Sequence, residues 1–164
     1  MTKILCIDPG RESAWLIGSY GGNDDFEIYS LHCGQKEKTD VYGAFYAHGI
    51  VMADGVEHVV YEEPFVRSHN AARMQYGMIG IIHLIAAHSY TCKAVWPVHP
   101  SWIKKVATGK GNATKEEMIQ SAINYAHTPS LKKQIDSSHA ADAFWIYRYF
   151  IETKALDNFD EEEQ

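Results

Sequence analysis

Three strand-like segments open the chain in quick succession, and this order constrains the fold more than any other feature. Residues 3–8 are a short apolar run followed by a Pro-Gly pair, as expected for a buried strand that ends in a turn. Residues 13–20 and 26–33 have strand composition, and a Gly-Gly-Asn-Asp segment lies between them. Because those residue types favour a hairpin turn, the sequence predicts three consecutive antiparallel strands.

Helices and strands alternate over the next part of the chain. The patterns predict a helix from residue 39 or 40 to about 53, a strand at 57–62, a helix at 70–88 and a strand at 92–96. A helix that separates two strands is typical of parallel strands in one sheet. We therefore expect an α/β fold with a mixed five-stranded sheet, in which three antiparallel strands are followed by two parallel ones.

Two further helices are predicted in the C-terminal third, after a short basic amphipathic turn at 101–106. Thr114 and Glu117 have the spacing of a capping box, so a helix is expected to begin there and to run to about residue 127. Ser137 or Ser138 can cap the last helix, which continues to about Ile151. We see no internal repeat and expect one domain at 1–155.

Composition favours a domain held together by its own core. The chain has 164 residues, of which 46% are hydrophobic, so neither disulfides nor a metal is needed for stability. Its cysteines, Cys6, Cys33 and Cys92, are odd in number and lack C-x-x-C spacing, which favours free thiols in an intracellular, cytoplasmic protein and argues against structural zinc. We also expect no signal peptide and no membrane segment.

Charge argues against a protein that binds polyanions over its whole surface, because the formal net charge is -6. Much of that charge is concentrated in residues 156–164, which carry acids and no base: Asp157, Asp160, Glu161, Glu162 and Glu163. We expect this acidic tail to be disordered. The remaining chain is nearly neutral and has room for a local basic groove.

Acidic side chains stand where predicted strands end. Asp8 closes the first strand and Glu62 and Glu63 close the fourth, although period-2 alternation allows only one of this pair to face the side of Val60. His139 and Asp142 lie three residues apart on the last predicted helix, hence on one face. Each feature alone is more often a plain turn or a solvated helix edge. Together they predict an oxygen-rich site suited to Mg²⁺ or Mn²⁺.

Four motifs in this order resemble the RuvC-type Holliday junction resolvases, over almost the whole chain. They are ILCIDPG at 4–10, VVYEEPF at 59–65, TGKGNATK at 108–115 and HAADA at 139–143. The resemblance implies a ribonuclease H-like fold and a homodimeric endonuclease with two Mg²⁺ or Mn²⁺ ions in each active site. Such enzymes resolve four-way DNA junctions by paired phosphodiester hydrolysis.

The resemblance also assigns roles to individual residues. Asp8, Glu62, His139 and Asp142 match the metal ligands, although many family members have Asp where His139 stands. Lys115 matches a catalytic lysine near the scissile phosphate. Phe65 matches an aromatic residue that stacks on bases at the junction centre. The resemblance and their positive charge also make six basic residues candidates for DNA binding: Lys104, Lys105, Lys110, Lys115, Arg67 and Arg73.

Gly77 and Gly80 lie on one predicted helix, and the resemblance places the Gly77 position at the dimer interface. Helical spacing alone is equally compatible with packing of these small residues inside the chain. The function also has alternatives, namely a less selective branched or flap DNA nuclease of the same fold, or a junction-binding protein without catalysis. Sugar kinases of the wider superfamily are much longer.

Overall fold

A computed structural model of the protein describes residues 1–21, 25–34, 37–64 and 69–153. Within those ranges the chain forms five strands, β1 (Thr2–Asp8), β2 (Glu12–Tyr20), β3 (Phe26–His32), β4 (His58–Glu62) and β5 (Ala94–Val98). It also forms six helices, α1 (Lys38–Met52), α2 (His69–His88), α3 (Pro100–Thr108), α4 (Lys115–Tyr125), α5 (Pro129–Gln134) and α6 (Ser138–Glu152). The acidic tail at 156–164 lies outside the described residues, so its separation from the domain stays a prediction.

The strands form one sheet in the order β3-β2-β1-β4-β5. β1 pairs antiparallel with β2, and β2 pairs antiparallel with β3. β4 runs parallel to both β1 and β5. The predicted α/β class and the mixed five-stranded sheet are therefore confirmed.

Helices cover both faces of this sheet. Ile4 and Cys6 of β1 face the core that contains α6, α4 and α3, whereas Leu5 and Ile7 face the core that contains α1 and α2. Strand alternation therefore places Asp8, the last residue of β1, on the α6 side. The apolar cores lie on both faces of the sheet, and the polar ends of β1 and β4 are left at its edge.

Some element boundaries differ from those predicted. β5 continues through Pro97 because it is an edge strand, where a residue without an N–H is tolerated. The basic turn predicted at 101–106 belongs to α3, a nine-residue helix with Pro100 in its first turn. α5 was not predicted, since six residues are too few for a clear periodicity. α1 begins at Lys38, after Glu37, so residues 39 and 40, which were expected to precede the helix as its cap, lie within it.

Both caps near the C-terminal helices form as the sequence predicts. The Glu117 N–H donates to Thr114 Oγ1 at 3.2 Å, and the Thr114 N–H donates to Glu117 Oε2 at 2.8 Å. Of the two candidate serines, Ser137 caps α6, because its Oγ accepts a hydrogen bond from the Ala140 N–H at 3.1 Å. These caps fix the first turns of α4 and α6.

The two glycines of α2 have different surroundings. A Cβ atom added to Gly77 would lie 2.5 Å from the Tyr42 hydroxyl oxygen of α1, so the absent side chain is explained by packing within the chain. An added Cβ atom at Gly80 would meet no atom within 4 Å. Of the two, only Gly80 faces open space. No helix in the described part of the chain is long and apolar enough to cross a membrane.

Candidate active site

Parallel pairing of β1 with β4 brings two carboxylates to the same edge of the sheet. Ile7 is opposite Tyr61 in the register, and the next residues along each strand are Asp8 and Glu62. Glu62 lies on the face of Val60, which belongs to the α6 side of the sheet. Asp8 and Glu62 are close enough for their charges to interact.

The N-terminus of α6 adds the other two predicted ligands. Ser137 starts the helix, and His139 and Asp142 follow within its first turns. His139 Nδ1 lies 2.6 Å from Asp8 Oδ2, a direct hydrogen bond between the helix and the end of β1. The charge of Asp142 acts on Glu62. The four residues predicted from the sequence are thus brought together by two strands and one helix.

Burial and mutual repulsion change the acidity of this cluster. The pKa of Glu62 rises from 4.5 to about 8, first because the side chain is desolvated and then because Asp8 and Asp142 repel its negative charge. Desolvation and the charge of Asp8 likewise raise the pKa of Asp142 from 3.8 to about 7. In the absence of a cation, this cluster therefore favours bound protons near neutral pH.

His139 contacts carboxylates through both ring nitrogens. The hydrogen bond to Asp8 raises the pKa of His139 above its ordinary value of 6.5, against the opposing effect of burial. Its Nε2 lies 3.6 Å from Glu12 Oε2 at the start of β2. The other oxygen of that carboxylate, Oε1, lies 3.4 Å from His32 Nδ1 on β3.

Glu12 is the site residue that sequence reasoning missed. The predicted antiparallel pairing of the first two strands places the start of β2 beside the end of β1, where Asp8 lies, but it does not show that the Glu12 side chain turns toward the site. No metal-ligand spacing marks Glu12. Only the three-dimensional arrangement therefore shows that it faces His139.

Two lysines supply positive charge to the cluster. Lys115 is the first residue of α4, directly after the Thr114 cap. Lys104 is a partly buried residue of α3. Both lower the pKa values of Glu62 and Asp142, although burial and the neighbouring carboxylates outweigh them.

The remaining predicted DNA-binding residues lie apart from the carboxylates or outside the described part. Lys105 is exposed on α3, where it borders a surface recess with Trp102 and Tyr149. Lys110 Nζ lies 3.3 Å from Glu117 Oε1 and is paired with it. Arg73 is exposed on α2. The described residues do not include Phe65 or Arg67.

The two adjacent glutamates point in different directions. The backbone N–H of Glu63 donates to the Val98 carbonyl at 2.9 Å, which extends the pairing of β4 with β5 by one residue. The side chain of Glu63 lines a recess with Tyr61 and Tyr76 on the α2 side of the sheet. Of the pair, Glu62 is the residue that faces the cluster.

The donor set suits a hard divalent cation, because three carboxylates and one imidazole converge and the carboxylates repel one another without one. Within the described ranges, however, no group of three or more His, Cys, Asp or Glu side chains is already arranged to hold a metal ion. The contact between Asp8 and His139 contributes to this, since it joins two candidate ligands to each other. A cation held by both Asp8 Oδ2 and His139 Nδ1 would require that contact to open.

The raised carboxyl pKa values predict how the metal-free protein responds to pH. Because the folded state binds protons more tightly than the unfolded chain, stability should fall as pH rises from about 4 to 8. Asp142→Asn removes one repelling charge and should stabilise the metal-free protein at pH 8 by roughly 1–3 kcal/mol. Urea unfolding in EDTA measures this change.

The control is Asp54→Asn, which removes an exposed carboxylate from the segment between α1 and β4. Its unfolding free energy should stay within about 0.5 kcal/mol of wild type. Equal effects of the two substitutions would contradict the repulsion described here.

No protein-family model matches the sequence, and no curated protein sequence matches it either. Solved structures do match the fold. Thermus thermophilus RuvC superposes with a TM-score of 0.64 at 19% identity, over 93% of this chain and 96% of that one.

Two further structures agree with that comparison. T. thermophilus RuvC in complex with a Holliday junction substrate gives a TM-score of 0.65 at 20% identity, over 92% of this chain and 96% of that one. The yeast mitochondrial Holliday junction resolvase gives a TM-score of 0.61 at 12% identity, over 99% of this chain and 85% of that one. From strand order to terminal helix, the protein therefore has the fold of the RuvC-type Holliday junction resolvases, as the motifs predicted.

Proposed function

We propose that the protein is a divalent-metal-dependent endodeoxyribonuclease that resolves four-way DNA junctions. The observation that carries this proposal is the convergence of Asp8, Glu62, His139 and Asp142 at one edge of a RuvC-like sheet, with Lys104 and Lys115 beside them. A similar fold in proteins of that function supports the proposal, because the Thermus structure was solved with a Holliday junction substrate.

The proposed chemistry is hydrolysis of a phosphodiester bond. Mg²⁺ or Mn²⁺ bound by Asp8, Glu62, His139 and Asp142 would supply Lewis acidity, and the number of two ions rests on the family resemblance. The carboxylates and the imidazole would bind the cation at the sheet edge. Lys115 lies at a helix N-terminus beside them, where its ammonium stabilises negative charge that develops on the phosphate.

The proposed substrate contacts follow the distribution of positive charge. Lys104 and Lys115 act on the carboxylate cluster, so a phosphate bound at that cluster would meet their positive charge. Lys105 and Arg73 are exposed and would contact DNA outside the cluster, whereas Lys110 must exchange its bond with Glu117 for one with DNA. Stacking of Phe65 and a phosphate contact by Arg67 remain predictions from the sequence.

A homodimer completes the proposal, because resolution of a symmetric junction needs two opposed nicks. The outer face of α2 is suited to self-association, since Tyr76 is 58% exposed and Leu84 is 49% exposed on either side of Gly80. Gly80 has open space above it, which permits a close approach of a second helix. Gly77 faces Tyr42 of α1, so its place in the dimer interface stays a prediction from the resemblance.

Cleavage of a synthetic four-way junction in Mg²⁺ tests the proposed activity. Glu62→Gln should lower the single-turnover rate by about 10³-fold, because it removes a carboxylate from the cluster. Glu63→Gln is the matched control, since it makes the same change one residue away on the other side of the sheet, and it should cleave within about threefold of wild type.

Equal rates for the two variants would contradict the placement of Glu62 in the site. Three-way and flap substrates, compared at equal concentration, measure selectivity. Equal cleavage of all three branched forms would indicate a general branched-DNA nuclease and not a junction resolvase. Tight junction binding without cleavage would indicate a binding protein.

Metal affinity should depend on pH because the cation competes with protons. The pKa values of Glu62, Asp142 and His139 are all raised, so these groups hold protons at pH 6 that a cation must displace. Mn²⁺ affinity, measured by electron paramagnetic resonance, should therefore rise at least tenfold between about pH 6 and pH 8. Calorimetry in buffers of different ionisation enthalpy should show proton release, and a pH-independent affinity would contradict this account.

Self-association should depend on the outer face of α2. Leu84→Glu places a charge on that face and should shift the protein from dimer to monomer in sedimentation at micromolar concentration. Trp102→Glu is the control, since Trp102 is similarly exposed, at 55%, but lies on α3 on the opposite side of the sheet. A wild-type protein that stays monomeric even with junction DNA would remove the dimer from the proposal.

A further inference from the structure

We propose that Glu12 is a positioning residue that orients His139 for metal binding, an inference that rests on the proposed function. Glu12 begins β2 and projects from the sheet edge where β1 ends. Its Oε2 is 3.6 Å from His139 Nε2, while Asp8 Oδ2 is 2.6 Å from His139 Nδ1. The imidazole therefore lies between two carboxylates, one of which is itself a candidate ligand.

The chemistry of a histidine ligand explains why a second carboxylate is needed. An imidazole that binds a cation through one nitrogen carries a proton on the other, and that N–H requires an acceptor that fixes the ring plane and the tautomer. Nδ1 lies 2.6 Å from Asp8 Oδ2, a candidate ligand, so the proposed arrangement has the cation on that side of the ring. Nε2 then carries the proton, and Glu12 is the carboxylate in front of it.

The sheet holds Glu12 in this place. Glu12 pairs with His32 across β2 and β3, and its Oε1 lies 3.4 Å from His32 Nδ1. One carboxylate thus faces two imidazoles with its two oxygens. At 3.6 Å the approach to His139 is longer than a hydrogen bond, so the proposed contact shortens when His139 turns from Asp8 toward a cation.

The proposal predicts that Glu12 matters only when residue 139 is a histidine. An aspartate at that position has no ring N–H, so it gives Glu12 nothing to orient. A double-mutant cycle between Glu12→Ala and His139→Asp measures this dependence. Glu12 is 57% exposed at its side chain, so its substitution should leave folding intact, which urea unfolding in EDTA checks.

Mn²⁺ binding in the absence of DNA is the readout, measured by electron paramagnetic resonance at one fixed pH. In the wild-type background, Glu12→Ala should weaken Mn²⁺ binding about tenfold or more. Glu12→Gln should recover part of the loss, because its amide oxygen still accepts the Nε2 proton. In the His139→Asp background, Glu12→Ala should lower Mn²⁺ affinity no more than Asp136→Asn does. Asp136→Asn removes one exposed carboxylate charge close to the start of α6.

The alternatives give different results. Equal losses in both backgrounds would make Glu12 a direct ligand or a source of general negative field, and no loss in either would leave it without a role at the site; each result overturns the inference alone. Failure of the wild-type protein to bind Mn²⁺ would instead overturn the proposed function, and the role of Glu12 with it.

Nitrogen-15 NMR of the imidazoles gives an independent measurement on the Mg²⁺-loaded protein. The proposed arrangement has His139 protonated at Nε2 and unprotonated at Nδ1. The opposite tautomer would place Nε2 on the cation and overturn the assignment of Glu12 as its proton acceptor.

Discussion

Parallel pairing of β1 with β4 is the constraint on which the candidate site depends. The register that sets Ile7 opposite Tyr61 makes the two strands end together, so that Asp8 and Glu62 leave the sheet at the same level. Apolar residues before each carboxylate, such as Cys6 and Val60, bury the strands and fix which face each side chain takes. A slip of one residue in β4 would turn Glu62 to the α2 side and bring Glu63 to the cluster.

Helix caps and core packing outside the site hold its negatively charged side chains close together. Three carboxylates meet where burial alone already disfavours their ionised forms. The caps of α6 and α4, formed by Ser137 and Thr114, position His139 and Lys115 against that negative charge. The buried core around α6 holds the helix against the sheet although its first turns bring His139 and Asp142 to this cluster.

Much of this arrangement could be predicted from the sequence because its signals are local. Hairpin residues, apolar strand runs and the Thr114 capping box identify the strands, their order and the start of α4. Strand alternation shows that only one of Glu62 and Glu63 faces the site, but it does not show which one. The answer depends on which side of the sheet Val60 faces. The sequence predicts that the fifth strand ends before Pro97, whereas β5 continues to Val98. Proline is acceptable there because β5 is an edge strand, which is a property of the assembled sheet.

Longer-range relations left no such signal. Gly77 has its explanation in Tyr42, a residue of another helix, and Glu12 reaches His139 only because β2 starts where α6 begins.

The net charge of -6 says little about how this site would meet DNA. Five of the chain's 21 acidic residues lie at 156–164, outside the four sequence motifs. Close to the cluster, the local net charge is set by the buried carboxylates together with Lys104, Lys115 and His139. Interactions between exposed charges are largely screened beyond about 10 Å, whereas those among partly buried groups are screened much less. This local balance therefore governs the approach of a phosphate. A divalent cation would add positive charge to this balance, so DNA affinity and metal occupancy are expected to be coupled at this site.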